Sequence, residues 1–76
     1  MYTDSMRRAF HSVIAPKGFS VQIIDNEHFL TVKLNERQFL NMVHDEKIKA
    51  LQYVVQLKKA LEMEGAIVLV TREAVK

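Results

Sequence analysis

Ala66-Ile67-Val68-Leu69-Val70-Thr71 would carry apolar side chains on both faces of any strand it formed. A strand with one face in water alternates apolar and polar residues, whereas an uninterrupted apolar run suits a strand covered on both sides. The chain has 76 residues with which to cover it. A core of that size is marginal unless something reinforces it. Absence of cysteine rules out disulfides and a thiolate zinc cluster. Self-association is the remaining reinforcement, and a homodimer is expected.

Residues 1–76 make one domain. An apolar content of 49% beside a charged content of 26% places the chain among folded proteins, not disordered ones. Met1-Tyr2-Thr3-Asp4-Ser5 lacks the apolar heart of a signal peptide, and no apolar run approaches membrane-spanning length. A cytoplasmic location without membrane contact is expected. Eleven Lys and Arg against nine Asp and Glu leave a net charge of +2, weak for a dedicated nucleic-acid-binding domain.

Pro16, Gly18 and Gly65 punctuate the chain where elements should change. From Asp4 to Ala15, helical spacing puts Met6, Phe10, Val13 and Ile14 on one stripe, with Thr3 or Asp4 as N-cap. A hairpin follows. With Asn26-Glu27 as its turn, Ile23, Val21 and Phe19 face Leu30, Val32 and Leu34 on one side. Ile24 and Phe29 then meet near the tip of a mostly polar opposite side.

Asn35-Glu36-Arg37-Gln38 resembles a capping box, with Gln38 reaching back to the cap. Helical periodicity continues to Glu64, with Phe39, Met42, Val43, Ala50, Tyr53, Val54, Leu57 and Leu61 in one arc. An unbroken helix would be about 43 Å long, too long for a three-stranded domain. The pattern predicts a short helix near 36–43 and a longer one near 46–64. Ile48, Leu51 and Val55 form a second apolar stripe on the longer helix, which implies a second surface to bury.

The expected fold is α+β in the order α-β-β-α-β. A three-stranded, mainly antiparallel sheet of order 2-1-3 is packed by a long C-terminal helix and a short N-terminal one. The closing strand would then be an apolar edge, which invites pairing with another chain.

Chemistry needs convergent groups, and the sequence offers few. Asp25, Glu27 and His28 cluster at the hairpin turn without an evident third ligand. His44, Asp45 and Glu46 diverge by about 100° each on a helix, and so cannot share an ion. No nucleophile context, phosphate loop or dinucleotide fingerprint is present. Neither a metal, a cofactor nor enzymatic activity is expected. The residues pointing to function are Ile24, Phe29, Ile48, Leu51, Val55, Val68 and Val70, apolar groups least accounted for by a minimal core. They predict a small regulatory or accessory protein that binds another protein, as a homodimer. The alternative is nucleic-acid binding through Arg7, Arg8, His11 and Lys17 on and after the first helix, where basic side chains could contact phosphates.

Overall fold

The computed structural model describes residues 2–72. The elements in chain order are α1 (Asp4–Ser12), β1 (Val21–Asn26), β2 (Phe29–Leu34), α2 (Glu36–Leu40), α3 (His44–Met63) and β3 (Val68–Arg72). The fold is α+β, with the three strands in one mixed sheet and the long α3 packed against it. The Cα trace spans 33 × 27 × 14 Å, and its thinnest dimension matches one helical layer on one sheet.

The core explains the layering. Leu30, Val32 and Leu34 on alternate positions of β2 are buried, as is Val68 on β3. Ala50, Tyr53, Val54, Leu57 and Leu61 recur at helical spacing along α3 and close over that row. Burial raises the Tyr53 phenol above its ordinary pKa. Phe19 is buried just before β1, its ring edge-on to Tyr53 and Phe39 at centroid distances of 6.2 and 6.4 Å.

Strand order is β1-β2-β3, with β3 parallel to β2, so the expected order 2-1-3 is corrected. The reason lies in the inward rows. Leu30, Val32 and Leu34 are apolar throughout and take the centre, whereas the row Val21, Ile23 and Asp25 ends in an exposed carboxylate suited to an edge. Crossing from β2 through α3 to the adjacent position also avoids stepping over β1. Asp25 Oδ2 accepts the Tyr2 N–H at 3.0 Å, which ties the approach to α1 to this edge.

The hairpin is antiparallel as expected, but its register is shifted by two. Val21 faces Leu34, Ile23 faces Val32 and Asn26 faces Phe29, so the turn is Glu27-His28. Shifting by two preserves which side chains point inward. It frees Phe19 to leave the sheet and enter the core. Asn26 stays in the strand, its amide donating to Thr31 Oγ1 at 2.7 Å, and Glu27 takes the positive φ of 42°.

Helix boundaries follow local chemistry. Thr3 Oγ1 caps α1 by accepting the Met6 N–H. The helix stops at Ser12 rather than Ala15, because Val13 is already extended (φ −94°, ψ 119°). Ile14 therefore lies outside the helix and is exposed instead of joining the stripe. Asn35 Oδ1 caps α2 through the Gln38 N–H at 3.0 Å. The Gln38 side chain does not reach back to the cap; its Oε1 accepts from the N–H and hydroxyl of Ser20, fastening α2 to the start of β1.

The long helical pattern is broken at residues 41–43, as the length argument requires. That break resets the phase and leaves Val43 exposed rather than in the core arc. Phe39 anchors the short helix between two cations, with the Arg72 guanidinium 5.6 Å and the Lys47 ammonium 5.8 Å from its ring centroid. Gly65, at φ 90°, ends α3. Its N–H donates to Glu62 C=O and that of Ala66 to Leu61 C=O, the paired bonds of a Schellman stop.

Two stability outcomes follow. Leu57→Ala removes a fully buried side chain and should cost about 2–5 kcal/mol in urea unfolding, a large part of what so small a domain has. Asn35→Ala should cost about 0.5–2 kcal/mol through the lost cap, with the α3 helical signal retained.

Candidate protein-binding surface

The second stripe of α3 is uncovered. Ile48, Leu51 and Val55 are 43%, 46% and 52% exposed although three such residues in register are rare on a solvated face. α1 does not shield them. It lies along the opposite flank, where Ser5, Arg8, Ala9 and Ser12 share a hollow with Ala60, Met63 and Glu64. Farther along that flank, Ile14 to Pro16 share another hollow with Lys49, Gln52, Tyr53 and Gln56. At 100° per residue, the arc of Leu51, Val55 and Ile48 points away from both the sheet and α1.

β3 borders the same side of the molecule. The segment before α1 is tied to β1, and the chain after α1 leads into β1, so α1 occupies the β1 side of α3 and the free flank is the β3 side. Within β3 the structure separates neighbours that the sequence groups together. Val68 pairs with Leu30 and is 5% exposed, so this expected surface residue belongs to the core. Val70 also points to the helical layer, yet it remains 41% exposed at the rim. Leu69 is 50% exposed on the outer sheet face.

That outer face has no helix over it among the described residues. Cross-strand pairing puts Ile24, Thr31 and Leu69 in one row, and Phe29 with Asn26 in the row nearest the hairpin turn. Ile24 and Phe29 are half-buried, and Ile67, just ahead of β3, is exposed. Gln22, Lys33 and Thr71 make the third row polar. The face is an apolar patch at one end and polar at the other. The seven expected residues thus divide into an α3–β3 wall (Ile48, Leu51, Val55, Val70), an outer-face patch (Ile24, Phe29) and one core residue (Val68).

On the sheet, Leu69 and Ile67 are exposed apolar groups missing from the expected set; Ile14, Leu40, Val43 and Met63 are others, on and between the helices. Alternation along β3 was the signal for Leu69, since burial of Val68 puts its neighbour on the other face.

The basic candidates are all exposed. Arg7, Arg8 and His11 lie on one arc of α1, and Lys17 stands in the turn after it. Arg7 is drawn over the Tyr2 ring at 5.9 Å, and His11 sits 5.2 Å from the Phe10 ring. These four do not extend onto the sheet face. Glu27 and His28 are 3.7 Å apart and largely in solvent, and among the described residues no three His, Asp or Glu side chains converge as a metal site. No helix among the described residues is long and apolar enough to cross a membrane. No protein-family model, curated protein or solved structure matches this chain.

Proposed function

We propose that this chain is a small, non-enzymatic binding protein of the cytoplasm. In this reading it acts by occupying apolar surface on other protein chains, in a regulatory or accessory role, and works as a homodimer. One observation carries the reading: the Ile48-Leu51-Val55 flank and the β3 rim are both apolar and exposed on the same side of a two-layer domain.

Magnitudes say what such an interface requires. Burying a Val, Leu or Ile side chain completely is worth about 1.5–3 kcal/mol, so covering the exposed half of one contributes about 1 kcal/mol. Four such residues on each of two copies give about 8 kcal/mol, within the roughly 4–15 kcal/mol that association costs. Apolar contact alone therefore leaves a dimer marginal, and a further interaction has to add to it.

Nucleic-acid binding through Arg7, Arg8, His11 and Lys17 is the second reading, supported by their shared exposure on and beside α1. It predicts retention on duplex DNA that falls steeply with added salt and is abolished by replacing both Arg7 and Arg8 with Glu.

For the main reading, light scattering should give a mass near twice that of the chain at high protein concentration. Leu51→Lys should weaken the dimer tenfold or more, through lost burial and a charge placed in the contact, with the far-ultraviolet helical signal unchanged. A chain that stays monomeric at every concentration contradicts self-association.

A further inference from the structure

Resting on that homodimer, we infer that the two copies join through β3, paired antiparallel across a two-fold axis. The result is one six-stranded sheet in the order β1-β2-β3-β3-β2-β1, with the exposed flanks of the two α3 helices brought together above it.

Backbone geometry identifies the groups that would pair. The Leu30 N–H donates to Ile67 C=O at 2.8 Å, so Ile67, and by alternation Leu69 and Thr71, turn their peptide groups toward β2. Val68, Val70 and Arg72 consequently turn theirs to the free edge. Among the described residues no strand lies beyond that edge. Protein sheets usually guard such edges with a proline, a bulge or inward-pointing charge. Val68-Leu69-Val70-Thr71 contain neither proline nor charge, and the inward Arg72 that ends β3 is drawn to Glu36 and the Phe39 ring at the far end of the strand, whereas the opposite edge, β1, carries Asp25 and is approached by the chain leading into α1.

The occupant is a second copy because a two-fold rotation lets this chain use the edge and the flank beside it together. A two-fold axis beside β3 turns β3 antiparallel to its copy and brings both α3 flanks to the same side, as an isologous contact requires. Area points the same way. The outer sheet face offers about 300 Å², from three strands about 4.8 Å apart and roughly 20 Å long, too little for a stable dimer. The flank of α3 is about 30 Å long and the rim of β3 about 17 Å, each about 10 Å deep, so together they offer about 470 Å² per subunit, close to the approximate 1,000 Å² total of a specific interface and well above the outer face.

Hydrogen exchange at one amide reads the arrangement directly. In every antiparallel register that overlaps the edge-facing groups of β3, the outward Val70 N–H becomes hydrogen-bonded to the second copy. In samples that light scattering shows to be dimeric, its exchange should be slowed about tenfold or more relative to dilute, monomeric protein. The cysteine-free chain allows a second readout that leaves the backbone intact. Among L69C, V70C and T71C, at least one should form a covalent dimer on mild oxidation, because the axis places one strand residue opposite itself. Q22C on the opposite edge should not. A dimer with a freely exchanging Val70 amide and no β3 cross-link overturns edge pairing while leaving self-association standing. A monomer under all conditions overturns both and leaves the edge to a strand from a different protein.

Discussion

Everything in this domain depends on one contact, the seam between the buried stripe of α3 and the Leu30-Val32-Leu34 row of β2. Both periodicities are strict there, 3.6 residues on the helix and two on the strand, so a single line of apolar groups zips a 20-residue helix to a six-residue strand. The seam sets β2 in the middle of the sheet and puts α3 above it. The crossover then returns the chain beside β2 as a parallel strand. α1, β1 and β3 are accessories to that pair, each adding cover on one side.

The cover is uneven. α1 takes one flank of α3 and is tied to β1, while α2 closes the end where β2 finishes, held by the Arg72–Glu36 pair at 3.5 Å and the cations around Phe39. Among the described residues, the other flank of α3 and the rim of β3 receive nothing equivalent. A third layer would need another element, and among the described residues none lies there. The exposed apolar groups are thus a consequence of the architecture: one helix pair can shield one face and one side of a three-stranded sheet. This asymmetry gives the molecule an edge at β1 that carries Asp25 and one at β3 that is apolar from Val68 to Val70 and charged only at Arg72.

Much of this was written in the residues themselves. Element order, the α+β class, a cap at Thr3 or Asp4, the Asn35 cap, the Gly65 stop and the break between α2 and α3 all follow from spacing and local hydrogen-bonding chemistry, with packing choosing Thr3. The two stripes of α3 were also legible, because a helix imposes its own period on whatever it carries. Hairpin register was legible only to within two residues, since a shift of two leaves every side chain on the same face.

Tertiary structure decided what one-dimensional pattern cannot rank. Which strand sits in the centre depends on comparing whole rows of side chains, and the Leu30 row surpasses that of β1 by lacking a carboxylate. The flank that α1 chooses, and hence which stripe stays in solvent, depends on where the chain must go next to begin β1. The division of β3 into buried Val68 and exposed Leu69 and Val70 depends on pairing with β2, a contact between segments some 38 residues apart. Sequence by itself fixed that there is excess apolar surface; only packing, by assigning neighbours, determined where it lies.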